Sequence, residues 1–126
     1  MTCVGIVIVS HSPLIAEGTA LMAKELAGMN VPVAWCGGNI NGGLGSNSDM
    51  IYRSILEAWS DAGVAIFVDL GSTEMNSQIA IEKFAKAKQS KLSIMNAPLV
   101  EGVIIASSRA SRGDSLSEIR KICETI

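Results

Sequence analysis

The sequence is poor in aromatic side chains and in charge. Aromatic residues make up 4 % and charged residues 17 % of its 126 positions, against ~25 % charged in an average domain. With hydrophobic residues at 48 %, the core has to be built from Val, Ile, Leu, Met and Ala. The thin charge also implies that part of the surface is covered, for instance by a second subunit. No basic cluster is present, and ten Lys and Arg against twelve Asp and Glu leave a net charge of −2. That argues against a nucleic-acid partner, whose binding draws on phosphate neutralisation. Disorder is excluded because the chain is too apolar and too weakly charged. The run of ~18 apolar residues needed for a membrane span is missing. The apolar stretch from Met1 to Ser10 has no basic segment before it and no small-residue cleavage site after it, so it reads as a first strand. Cysteine is scarce as well. Cys3, Cys36 and Cys123 are odd in number and far apart, which fits neither a disulfide framework nor a zinc site. Each is expected to be a small buried hydrophobe in a reducing compartment, the cytoplasm.

What is present alternates short β-branched runs with segments of helical period. Val4 to Val9 is continuously apolar, as in a strand buried on both faces. Ser12-Pro13 starts a helix, with Ser12 as N-cap and Pro13 in the first helical position. Leu14, Gly18, Leu21, Met22 and Leu26 share one face of that helix. A second strand spans Val31 to Cys36 and ends in Gly37-Gly38. A Gly, Asn and Ser-rich loop leads to a second helix, for which Ser46 and Asp49 form a candidate capping pair. Val64 to Leu70 is a third strand, a third helix runs from about Met75 to Lys88, and Leu92 to Met95 is a fourth strand. A helical stretch from about Leu99 breaks at Gly113. Ser115 with Glu118 then makes a capping box for a last helix with Leu116, Ile119, Ile122 or Cys123, and Ile126 along one face. This alternation predicts one α/β domain over residues 1–126, in three layers. A mostly parallel sheet of order 2-1-3-4, allowing one further edge strand, would carry helices on both faces.

In such sheets ligands bind beyond the carboxyl ends of the strands, where the strand order reverses. Those ends carry Ser10-His11-Ser12, Gly37-Gly38-Asn39, Asp69-Leu70-Gly71-Ser72 and Asn96-Ala97-Pro98. In the 2-1-3-4 order, His11 lies between Asp69 and the Gly37-Gly38 turn. His11 is the one histidine of the chain, and it precedes a helix start where free N–H groups and the helix dipole favour an anion. Asp69 can hold one imidazole nitrogen and leave the other free to attack. Ser12, Gly37, Gly38, Gly71 and Ser72 are candidates to donate to phosphate oxygens. Together these features suit a phosphohistidine site. Rival motifs fail: the glycine-rich loop holds no GxxxxGK[ST], no GxGxxG follows the first strand, and no serine sits in a GxSxG elbow. One histidine and scattered cysteines do not make a transition-metal site.

These residues resemble the enzyme IIA component of the mannose-type bacterial phosphotransferase system. The resemblance rests on Gly5-Ile6-Val7-Ile8-Val9-Ser10-His11-Ser12, Gly37-Gly38 with Gly45-Ser46, Val68-Asp69-Leu70-Gly71-Ser72 with Met75-Asn76, and Ala97-Pro98-Leu99-Val100-Glu101-Gly102, in family order over nearly the whole chain. Asp-Leu-Gly-Ser, in place of the Asp-Thr-Trp-Gly-Gly-Ser of sugar-transporting relatives, is similar to the branch that serves dihydroxyacetone kinase. The resemblance implies that His11 accepts a phosphoryl group from the phosphocarrier HPr on Nε2, with Asp69 orienting the ring. The group would pass to ADP held by the nucleotide-binding subunit of the kinase. It also implies a homodimer and no bound metal or cofactor. Two other readings remain: a sugar-transport IIA donating to a IIB protein, and a non-catalytic flavodoxin-like domain with a structural His11.

Overall fold

Strand β1 (Gly5–Ser10) is buried along its whole length, as a continuous apolar run requires, and the rest of the molecule is arranged around it. In chain order there follow α1 (Pro13–Ala27), β2 (Val33–Gly37), α2 (Ser48–Glu57), β3 (Val64–Val68) and α3 (Gly71–Glu82). The short α4 (Lys86–Gln89), β4 (Leu92–Ile94), α5 (Leu99–Ser111) and α6 (Leu116–Cys123) complete the chain. The computed structural model describes residues 2–126; Met1, the first residue of the expected domain, lies outside them. The sheet has the order β2-β1-β3-β4, and every pairing is parallel. Among the described residues there is no fifth strand at either edge.

Alternate residues of the central strands feed two cores. Ile6, Ile8, Ala65 and Phe67 pack beneath α1, α5 and α6. Val7, Val9, Val64 and Ile66 pack beneath α2 and α3. The three cysteines are all free and buried. Trp35 and Trp59 are half-buried against the two cores, and Trp59 stacks on Phe84 with ring centroids 6.0 Å apart.

Several boundaries differ from the sequence reading for local reasons. Helix α1 turns its large residues outward: Leu14 is 79 %, Leu21 62 % and Leu26 66 % exposed. It packs instead through Ala16, Thr19, Ala20 and Ala23. Small side chains let the helix lie close to the sheet and to α5, and the Thr19 hydroxyl is satisfied by the Ile15 carbonyl at 2.7 Å. Helix α2 is capped by Asn47, whose Oδ1 accepts from the N–H groups of Asp49 and Met50 at 3.0 Å each; Ser46 is not part of a capping pair. Helix α3 begins at Gly71, four residues before the expected Met75, and ends at Glu82, so the Gly-Ser pair is a first helical turn. The capping box at Ser115 and Glu118 forms as the sequence indicates.

Gly37 is required by a close approach. A Cβ there would lie 2.8 Å from Pro13 N and Cα and 2.9 Å from Ser10 O, so the end of β2 touches the turn that carries His11. Gly38 follows with φ +80° and donates its N–H to Ser10 O at 3.3 Å. Gly37→Ala is expected to lower stability by about 1–3 kcal/mol through forced displacement of that turn. A urea midpoint equal to wild type would show that the turn gives way freely.

Candidate functional site

Beyond the Val9–Val68 pairing, His11 follows two residues after Val9 at the carboxyl edge of the sheet and Asp69 one residue after Val68. Parallel register therefore brings two residues 58 apart in sequence face to face. His11 Nδ1 lies 2.9 Å from Asp69 Oδ1, and the two side chains are 23 % and 20 % exposed. The other ring nitrogen, Nε2, is 2.7 Å from Ser72 Oγ.

The carboxylate is held from several sides. Ser10 Oγ donates to Oδ2 at 2.6 Å and the His11 backbone N–H to the same oxygen at 3.0 Å. The Leu70 N–H donates to Oδ1 at 2.6 Å. Burial by itself would raise the Asp69 pKa. The hydrogen bonds from Ser10, His11 and the Leu70 and His11 N–H groups outweigh it and bring the carboxyl down to about 2. An ionised carboxylate has no hydrogen to give, so the hydrogen between Asp69 and the imidazole sits on Nδ1. In the neutral ring, Nε2 then carries the lone pair and accepts from the Ser72 hydroxyl. The lone pair therefore lies on the nitrogen that the carboxylate does not hold.

Helix α3 adds a positive end. Its N-cap, Leu70, provides no side-chain acceptor, so the N–H groups of Gly71 and Ser72 start the helix without a side-chain cap, beside the imidazole. The glycine-rich loop closes the far side. Gly45 N–H donates to His11 O at 3.1 Å, Ser46 Oγ to Ser72 O at 3.4 Å, and Asn76 Nδ2 to Ser46 Oγ at 2.6 Å.

Of the residues singled out from sequence, His11, Asp69, Gly71 and Ser72 come together. Ser12 is adjacent, but its hydroxyl caps α1 by accepting from the Ile15 N–H at 3.4 Å, and its own N–H is given to Ser10 Oγ at 3.1 Å. Gly37 and Gly38 are neighbours whose observed part is the tight packing under His11. Sequence reasoning passed over Ser10, Thr73 and Asn76 as contributors. Thr73 Oγ1 accepts from the Asp69 N–H at 3.2 Å and fixes the turn between β3 and α3. Ser10 was legible as the last residue of a strand flanking His11, but nothing in the sequence said which way its hydroxyl turned. Among the described residues no cluster of His, Cys, Asp and Glu is arranged to hold a metal ion, and no helix is long and apolar enough to cross a membrane.

A parallel 2-1-3-4 sheet with a carboxylate-held histidine at its switch point, beside a helix N-terminus, defines a doubly wound α/β domain. The chain belongs to the mannose-type IIA family of the phosphotransferase system: the family model described as PTS system fructose IIA component matches residues 5–120. Within that family it is 38 % identical, over 95 % of its length and 93 % of the relative's, to the phosphotransferase subunit DhaM of the PTS-dependent dihydroxyacetone kinase of Lactococcus lactis. It is 36 % identical, over 82 % of its length and 83 % of the relative's, to the phosphoryl donor subunit DhaM of a PEP-dependent dihydroxyacetone kinase of Listeria innocua. A crystal structure of the unknown-function protein EF1359 superposes with a TM-score of 0.86 at 32 % identity, covering 98 % of this chain and 94 % of that one. A sigma-54 interaction domain protein from Enterococcus faecalis, at 18 % identity and a TM-score of 0.67 over 98 % of this chain and 89 % of its own, shares the fold.

Proposed function

We propose that this chain is the phosphoryl carrier of a PEP-dependent dihydroxyacetone kinase, working in the cytoplasm. The lone pair of His11 Nε2 attacks the phosphorus carried by HPr, an N–P bond forms, and the bond to the donor breaks. In the second half, a β-phosphate oxygen of ADP bound to the nucleotide-binding kinase subunit attacks the same phosphorus. The N–P bond breaks, the electron pair returns to Nε2, and ATP is formed. The residues of the chain supply position and electrostatics: Asp69 stabilises the imidazolium character of the phosphorylated ring. Ser72 Oγ and the first N–H groups of α3 lie where phosphoryl oxygens would be received.

The observation that carries this reading is the Asp69–His11–Ser72 line, in which the carboxylate holds Nδ1 and the Nε2 lone pair meets only the Ser72 hydroxyl. The kinase acceptor is supported by the two DhaM relatives and by the Asp-Leu-Gly-Ser sequence. The test is incubation with phosphoenolpyruvate, enzyme I and HPr, followed by intact mass at alkaline pH. One acid-labile phosphoryl group is expected, which is then lost to ADP only when the nucleotide-binding subunit is added. Transfer to a transporter IIB protein instead would identify a sugar-transport IIA, and a folded protein that gains no mass would leave the carrier reading without support.

The carrier is a homodimer in this proposal, and the outward face of α1 is the surface that supports it. Leu14, Leu21, Met22 and Leu26 form a bare apolar stripe of the kind that marks contact sites, in a chain already short of surface charge. Leu21→Glu is expected to convert a dimer to a monomer in sedimentation equilibrium at micromolar concentration. A wild-type monomer, or a variant that stays dimeric, would remove this face from consideration.

A further inference from the structure

Ser10 lies at the end of β1 with no exposed surface, and its hydroxyl does two things at once. It donates to Asp69 Oδ2 at 2.6 Å and accepts the Ser12 N–H at 3.1 Å. It is thereby tied both to the carboxylate that holds the ring and to the turn that carries His11. Its place in the carboxylate's coordination is specific. Oδ1 is occupied by His11 Nδ1 and by the Leu70 N–H. Oδ2 is occupied by the His11 N–H and by Ser10. Two oxygens with about four lone-pair positions thus have four close donors. Thr73 does not compete for these positions, because its hydroxyl hydrogen goes to the Leu70 carbonyl, while its oxygen lies 3.3 Å from Oδ1.

We infer that Ser10 is a positioning residue for the phosphoryl transfer: by filling the last acceptor position of Asp69 it fixes the carboxylate plane against the ring, so that His11 stays in the Nδ1–H tautomer with the lone pair on Nε2. The inference rests on the carrier reading for the word transfer, but the tautomer claim stands on geometry alone. Among the donors that are not part of the ring, the two backbone N–H groups come with the fold. The Ser10 hydroxyl is the one supplied by a replaceable side chain. A buried donor bonded to a charge has roughly twice the strength of a neutral pair. Its removal frees the carboxylate to rotate off Nδ1. The titratable groups facing Asp69 are His11 from the β1 end and Glu74 from the first turn of α3, while the β4 end contributes the uncharged Asn96 and Ala97. No lysine or arginine is placed there to replace the lost donor.

The single histidine makes the test clean. In protein labelled with 15N-histidine, two-bond proton–nitrogen correlations report the tautomer of His11 alone. At alkaline pH wild type is expected in the Nδ1–H form, and Ser10→Ala in a mixture of both forms. In the HPr-driven assay Ser10→Ala is expected to lose roughly tenfold in phosphorylation rate. Ser10→Cys, which keeps the size with a weaker donor, should fall between the two and serves if the alanine variant does not fold. Wild-type tautomer and wild-type phosphorylation rate in a folded variant would overturn the proposal. A wild type that takes up no phosphoryl group, together with a tautomer shift in Ser10→Ala, would sink the carrier reading and leave the positioning role intact.

Discussion

His11→Ala is expected to take up no phosphoryl group from HPr, while its far-ultraviolet circular dichroism and urea midpoint stay close to wild type. This is the largest effect expected in the molecule, because no other side chain at the carboxyl edge of the sheet offers a neutral nitrogen nucleophile. The histidine is the only one in the sequence, so no neighbour can substitute for it. Stability should change little, since the ring packs into neither core and its hydrogen bonds with Asp69 and Ser72 are at the surface, where such bonds contribute modestly. Intact mass after incubation with the phosphoenolpyruvate-driven donor decides the matter. A variant that still gained one acid-labile phosphoryl group would place the acceptor elsewhere.

Asp69→Asn follows, with an expected loss of roughly 10²–10⁴ in transfer rate. The amide has nearly the same shape as the carboxylate, so the fold tolerates it, but its polarity is wrong for this position. If its nitrogen takes the place of Oδ2 it faces the His11 N–H, and if it takes the place of Oδ1 it faces the Leu70 N–H and the ring. Either way a donor meets a donor, and the imidazole is released or driven to the other tautomer. A second readout comes from pH. The folded carboxyl lies at about 2, below the unfolded value of about 3.9, so the stability it contributes is complete above that value. It is lost as pH falls from about 4 towards 2. Wild type should therefore lose stability over that interval more steeply than Asp69→Asn in urea titrations. Equal slopes together with a wild-type transfer rate would refute the orienting role.

The strand assignments were legible because a parallel sheet covered on both faces demands continuous β-branched runs, and Val4 to Val9 and Val64 to Val68 are such runs. The sheet order is not written in the residues: 2-1-3-4 is a common order for such domains, the structure has it, and the meeting of His11 with Asp69 follows from it. Helix starts at Ser12-Pro13 and Ser115-Glu118 could be read because their caps are local. Where a cap depended on the path of a loop, the reading slipped. Asn47, rather than Ser46, caps α2 because the glycine-rich loop turns Ser46 towards Ser72 O instead. The orientation of α1 was not legible at all. Its large residues and its alanines form two apolar faces, and only the distance to the sheet and to α5 selects the alanine face for burial.

The site divides in the same manner. The sequence by itself determined which chemistry is available: one imidazole ending an apolar strand before a Ser-Pro helix start, and one carboxylate ending another. Those are matters of residue type and of the period-two and period-3.6 patterns around them. Only the tertiary structure decided which imidazole nitrogen is free. That choice depends on Ser10, His11 N–H and Leu70 N–H meeting the two carboxylate oxygens within hydrogen-bond distance. The physical reason is that hydrogen bonds across a β1–β3 separation of nearly sixty residues are set by strand register and by how a loop folds back. Neither leaves a mark in local sequence.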